Sequence, residues 1–309
     1  MKVFRTVAAL AVSASTLFAL AETPTPPTPS TWKADLLTWR AHHEQGLASP
    51  NGWLTLVGLD WLKPGDNAIG SAADNRLQLE GVAPAHLGVI ALDGTTIRLK
   101  PPAGGFPAGL KVNDAPATET TLSDDASGHP TAVSIGSISF YVIHRGDRYA
   151  VRVKDAQAPT LVNFHGLHWY EANPKYIVNA RWVPYHPHQT LHVPSIVGTI
   201  NEMEAPGEAD FTLDGQTVKL VPVIEGPGDK ELFFIVRDAT SGKTSYGAAR
   251  FLYTGFPDHG LDQPGTLTID FNRLQNPPCA YTPYATCPLP PPQNRLAVAL
   301  PVGEEKYSH

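Results

Sequence analysis

Several things are scarce in this chain, and each scarcity excludes a class of protein. Basic residues are too few for a nucleic-acid or lipid-surface footprint: 23 Lys+Arg stand against 29 Asp+Glu, a formal net charge of -6. Two cysteines fall short of the four ligands of a structural zinc site. There is no Gly-x-Ser-x-Gly elbow, no His-Glu-x-x-His, no P-loop and no Gly-x-Gly-x-x-Gly opening a helix. No fixed-period repeat is present. Beyond the first 20 residues, no apolar run approaches the ~20 residues needed to span a bilayer. Neither nucleic acid nor stable membrane insertion is expected, and no cofactor or metal is called for.

Proline and glycine are abundant instead, 30 and 26 in 309 residues. Proline breaks helix interiors and central strands, which excludes a long helical bundle. At 42% apolar residues the chain can still build a core.

Lys2 and Arg5 precede an apolar run over 6–20, and Ala19-Leu20-Ala21 offers a small-x-small cleavage site. That is the layout of a secretory signal peptide over 1–21, so an exported, periplasmic or secreted protein is expected. Prolines 24, 26, 27 and 29 then make 22–29 an extended spacer. Ser30 reads as the N-cap of a helix over 31–45 ended by Gly46, within a 30–50 segment. Trp32, Leu36, Trp39 and His43 form its apolar stripe.

From residue 51 onward, short apolar runs alternate with turn clusters such as Asn51-Gly52, Asp93-Gly94, Gly146-Asp147 and Asp214-Gly215. Strands are expected at 76–79, 88–92, 95–99, 132–135, 139–144, 149–154, 176–183, 209–213, 217–223, 231–237, 248–253, 266–271 and 296–300. The fold class is all-β and mainly antiparallel: two sandwich- or barrel-like domains, 51–155 and 156–309, behind one amphipathic N-terminal helix.

Asn67-Ala-Ile-Gly70-Ser71, Asn75, Ala85-His86-Leu87-Gly88, Val112-Asn113-Asp114 and Ile135-Gly136 follow an order that resembles a forkhead-associated sandwich. That resemblance implies a fold for the first half. Ser71 stands where a phosphate-pairing Arg would be, Pro84-Ala85 replace the Ser-bearing loop, and no Asn-Gly precedes Val112. Without the guanidinium fork, phosphopeptide binding is not expected.

DFNRLQNPPCAYTPYATCPLPPPQNRL at 270–296, followed by Gly303-Glu304, is distinctive. With DATSGKTSYGAARFLY at 238–253 and GWLTLVGLDW at 52–61, it resembles the Domain of Unknown Function 1684 family of bacteria and archaea. The resemblance implies no established activity.

Cys279 and Cys287, nearby in an exported chain, are expected to form a disulfide. Asp270 and Asn272 share a strand face, as do Tyr246 and Arg250. With Asp238 and Asn276 they make either a structural network built on an Arg250–Asp270 pair or a small polar pocket, the structural version being the better supported. His186 and His188 with His192 sit among prolines and read as loop histidines; Glu202 and Glu204 read as solvated loop residues. The function expected is binding or structural support outside the cytoplasm, with a small molecule or an extracytoplasmic protein as partner. The alternative is a hydrolase-type enzyme using Tyr246, Arg250, Asp270 and Asn272.

Overall fold

The computed structural model describes residues 29–79 and 83–308. The signal peptide expected over 1–21 and all of the spacer but Pro29 lie outside the described residues. Helix α1 (Pro29–Leu47) begins before the expected start at 31. It also runs through Gly46 to Leu47.

The stripe behaves as its spacing predicts. Leu36 is fully buried, Trp39 stacks on His43 and meets Trp169 edge-on, and Trp32 Nε1 donates to Asp270 at 2.8 Å. Arg40 lies over the Trp169 ring at 4.7 Å. The helix is thus docked on the C-terminal half of the chain, 120 or more residues away in sequence.

Eleven strands follow: β1 (Leu56–Trp61), β2 (Gly65–Gly70), β3 (Leu77–Gln78), β4 (Gly88–Asp93), β5 (Thr96–Lys100), β6 (Lys111–Val112), β7 (Ala115–Pro116), β8 (Thr120–Thr121), β9 (Val133–Ile135), β10 (Ile138–Arg145) and β11 (Arg148–Asp155). They form two sheets, ordered β1-β11-β10-β9-β6-β7 and β3-β2-β4-β5-β8. Between them lies a core that includes Ile69, Ile90, Leu99, Phe140, Val142 and Val151. All pairings are antiparallel except β2 with β3.

A single helical turn (Pro159–Val162) leads to the second half. Its strands are β12 (Ile177–Pro194), β13 (Ile200–Leu213), β14 (Gln216–Leu220), β15 (Leu232–Val236), β16 (Arg250–Thr254) and β17 (Gly265–Asp270). One sheet runs β14-β13-β12-β17 and a two-stranded sheet pairs β15 with β16. Trp182, Phe234, Leu252, Ile269 and Phe271 fill one core, and Phe233, Ile235, Phe251 and Val223 belong to a second. The mainly antiparallel all-β class with one N-terminal helix is therefore the observed one.

Three local expectations need correction. Residues 184–194, read as a proline loop, belong to β12, and Glu202 and Glu204 lie on β13 opposite them. Beyond Trp182, β12 no longer pairs with β17, so this stretch is an edge where prolines remove no ladder bond. Residues 296–300 form no strand; Leu300 N donates instead to the Asp238 carboxylate.

His188 is also not a lone loop histidine. Its Nδ1 lies 2.5 Å from Glu204 and its Nε2 3.0 Å from Asp262. The Glu204 hydrogen bond, aided by Asp262 and opposed by partial burial, raises its pKa. No metal-ligand cluster gathers among the described residues. A group whose folded pKa is raised stabilises fully below its unfolded value of about 6.5 and stops doing so as pH climbs through the folded value. Proton-detected titration should therefore place His188 above about 6.5, with Glu204→Gln bringing it back down; a wild-type value at or below the ordinary one would contradict the bridged arm.

Candidate functional site

The residues singled out from the sequence divide into a clamp and bystanders. Arg250, fully buried on β16, does not pair with Asp270. β16 pairs with β15 and not with β17, which brings Arg250 beside Asp238, just past the end of β15. Arg250 Nη2 donates to Asp238 Oδ2 at 2.8 Å and to the Leu300 carbonyl at 2.7 Å. Its Nη1 donates to the Val302 and Glu304 carbonyls. Asp238 Oδ1 accepts from Thr240 N, Thr240 Oγ1 and Leu300 N. Two buried charges are thus paired with each other and with the backbone of 300–304, Arg250 Nε alone staying without a partner.

Asp270 instead caps the 3-10 turn Phe271–Arg273, accepting from Asn272 N and Nδ2, while Trp32 comes in from α1. Asn272 also bonds both backbone groups of Asn173. Tyr246 precedes β16 and donates to the Cys279 carbonyl at 2.9 Å. Asn276 belongs to a second buried knot around Glu304, which accepts from Asn276 N at 2.8 Å, Asn276 Nδ2 at 2.7 Å and Tyr281 Oη at 2.5 Å. His43 Nε2 of α1 lies 3.4 Å from Glu304 Oε2. Gly303, at φ +79°, permits the turn into Glu304: a Cβ there would come within 2.5 Å of the Leu274 carbonyl oxygen.

The open space lies elsewhere. A cleft of about 890 Å³ is enclosed by the end of α1, the outer face of β10 and β11, and the 275–288 loop with β16. Asn276 is the one member of the expected polar set that lines it; Cys287 lines it as well. The cleft is within the size range of small-molecule sites.

Strand β11 explains one wall. Tyr149, Val151 and Val153 point into the sandwich core, so Arg152 and Lys154 point the other way. Only a surface that is itself covered buries that second face, and the C-terminal loop covers it. Arg152 is 3% exposed. Its Nη1 reaches Tyr141 Oη at 3.4 Å and its Nη2 reaches Thr286 Oγ1 at 3.3 Å, both long contacts. Its Nε is buried with no partner. No carboxylate pairs with Arg152 among the described residues, whereas neighbouring Arg145 is paired with Asp125 at 2.8 Å. Trp53 and Tyr141 offer ring faces at 5.4 and 6.0 Å, a weak substitute for an anion. Lys154, on the same face, has its pKa lowered by burial and by Arg152.

The opposite wall carries Tyr253, stacked on Phe233 at 4.8 Å, and Glu225. Glu225 is exposed to solvent there. Sequence reasoning missed Arg152, Glu225 and Tyr253. The available signal was a charged residue at the centre of the apolar run at 149–153.

Cys279 and Cys287 are unbonded to each other in the structure. They are nonetheless neighbours: Cys279 N donates to Cys287 Sγ at 3.2 Å. A hydrogen bond from the Cys287 thiol lowers the Cys279 pKa, and the same contact with burial raises that of Cys287.

Residues 162–305 match the family model described as "Protein of unknown function (DUF1684)"; the 52–61 motif lies outside that match. No curated protein matches the sequence. Among solved structures, an uncharacterized protein from Haloarcula marismortui is 28% identical over 47% of this chain and 78% of its own, with a TM-score of 0.40. The FhaA FHA domain, solved with the intracellular domain of another protein, is 21% identical over 31% of this chain and 97% of its own, with a TM-score of 0.22. An FHA domain studied for phosphothreonine-dependent interactions is 22% identical over 32% of this chain and 96% of its own, also at 0.22.

Two outcomes are expected. Arg250→Ala strands Asp238 and three backbone carbonyls in the interior, and should cost about 3–5 kcal/mol in denaturant unfolding; an unchanged midpoint would remove the clamp. Thiol titration of reduced protein should find two thiols with Cys279 alkylated first, and a small-molecule disulfide should remove both together by thiol–disulfide exchange. Loss of only one, as a stable mixed disulfide, would show that the pair cannot close.

Proposed function

We propose that the protein is a non-catalytic, exported binding protein whose cleft holds a small organic anion. The observation carrying this reading is Arg152, a guanidinium taken out of water at the cleft wall with an unpartnered Nε and no carboxylate. A buried charge of this kind is costly unless paired. A carboxylate or phosphate entering the cleft supplies the missing partner, and the planar fork favours a bidentate oxyanion. Thr286 Oγ1, held by Arg145 and Arg152 together, orients the fork.

Export is inferred from the charged start, apolar run and small-residue site at 1–21. No helix among the described residues is long and apolar enough to cross a membrane. The binding reading is preferred to the hydrolase alternative because Tyr246, Arg250, Asp270 and Asn272 are engaged by backbone and buried partners away from the cleft.

The test contrasts two properties of one variant. Arg152→Met should leave the unliganded protein as stable as the wild type or more so, because it removes an uncompensated buried charge. The same variant should lose thirtyfold or more in affinity for a stabilising carboxylate, about 2 kcal/mol. An unliganded protein destabilised by more than about 3 kcal/mol, with carboxylate binding intact, would make Arg152 a structural residue and overturn the reading.

A further inference from the structure

Eight buried side-chain polar atoms have no hydrogen-bond partner among the described residues, and three of them belong to residues lining the cleft: Arg152 Nε, His43 Nε2 and Asn276 Oδ1. The last two flank one carboxylate. Asn276 N and Nδ2 donate to Glu304 at 2.8 and 2.7 Å. His43 Nε2 lies 3.4 Å from Glu304 Oε2, without the alignment of a hydrogen bond.

The Asn276 amide cannot turn over. Its Nδ2 donates to Glu304 Oε1 and to the Glu305 carbonyl, two acceptors that the amide oxygen could not face. Oδ1 is therefore an acceptor, on a residue only 3% exposed, with no donor. At His43 the ring nitrogen beside a carboxylate carries the proton, which makes Nε2 a donor. A carboxylate only accepts and an ammonium only donates, whereas a hydroxyl does both. One hydroxyl meets both idle atoms and relieves the desolvation cost of each.

The remaining lining suits the same chemistry. Ser49, Asn51, Asn201 and Gln275 add neutral hydrogen-bonding groups. Trp53 is 38% exposed, with its ring 5.4 Å from the Arg152 guanidinium, and an indole face packs well on the C–H face of a sugar ring. The two poles share one loop. Thr286 contacts Arg152 at 3.3 Å, its neighbour Cys287 accepts from Cys279 N at 3.2 Å, and Asn276 lies three residues before Cys279.

We propose that the cleft takes a sugar acid of one or two rings, its carboxylate on Arg152 and a ring hydroxyl between Asn276 and His43. This rests on the anion site assigned to Arg152, and it adds the second contact and the class of molecule.

Calorimetry on the full chain with glucuronate, galacturonate and digalacturonate, against cyclohexanecarboxylate and methyl glucoside, separates the two claims. At least one sugar acid should bind about tenfold tighter than cyclohexanecarboxylate. His43→Phe, which keeps a ring beside Trp39 and Trp169, should abolish that preference, and His43→Gln, which restores an N–H, should return it. Equal binding of sugar acids and cyclohexanecarboxylate, both weakened by Arg152→Met, would overturn the sugar-acid inference and leave the anion site standing. A preference untouched by His43→Phe would overturn it too, as would failure of every sugar acid to bind. Methyl glucoside binding as tightly as the acids, with Arg152→Met without effect, would overturn the anion site as well.

Discussion

The buried Asp238–Arg250 pair is the constraint from which the second half of the molecule is organised. Removing two opposite charges from water is favourable only when every donor and lone pair finds a well-placed partner. Here most of those partners are backbone groups of the last ten residues: the Leu300, Val302 and Glu304 carbonyls on Arg250, and Leu300 N on Asp238. A chain end with few strand contacts is thereby fixed in register. The consequence travels outward. With Val302 and Glu304 held, the Glu304 carboxylate is delivered to Asn276, Tyr281 and His43. Glu305 N then bonds His168 and Lys306 N bonds Thr244. Helix α1 packs on this surface, and its His43, in ring contact with Trp39 and with Trp169, lines one side of the cleft.

Two buried arginines in one chain show how context separates structure from function. Arg250 and Arg152 are equally hidden from solvent, and burial penalises both. Arg250 has four hydrogen bonds from its two terminal nitrogens, one to a carboxylate. Arg152 has two long contacts to neutral hydroxyls and no carboxylate. Nε is without a partner in both, so the difference lies at the terminal nitrogens. The first arrangement is charge-paired. The second is a deficit that the fold tolerates because other interactions are sufficient, the usual position of a group awaiting a ligand.

What the sequence made legible follows the same division between local and tertiary causes. Short apolar runs between turn clusters located β4, β5, β10, β11, β15 and β17 to within a few residues, because each packs at least one face into a core. The stripe from Trp32 to His43 located α1 for the same reason. Strand β2, Gly-Asp-Asn-Ala-Ile-Gly, was invisible: it carries turn residues, and Asn67 earns its place by bonding Lys63, Gly65 and Ile90 carbonyls. The long β12 was cut short at Pro184 because local rules do not know which strand edge is free. Arg250 was paired with the wrong aspartate because chain order placed β17 next to β16, whereas the sheets separate them. Arg152 was missed because an amphipathic strand ordinarily has one buried face. Its second face is buried only by a loop more than 120 residues away, and no pattern within β11 records that cover.

The cleft lies at that second burial, and its charge arrangement follows from how it is made. The sandwich contributes a sheet face carrying Arg152 and Lys154. The C-terminal half contributes Glu202 and Glu225, both exposed. Opposite charges ordinarily meet, as Arg145 and Asp125 do within the sandwich. Here Arg152 lines the cleft with those carboxylates and pairs with neither. The Thr286 hydroxyl between Arg145 and Arg152 braces the guanidinium at the wall. An unpaired buried cation costs stability, and an anion entering the cleft completes the electrostatics that the protein's own side chains leave incomplete.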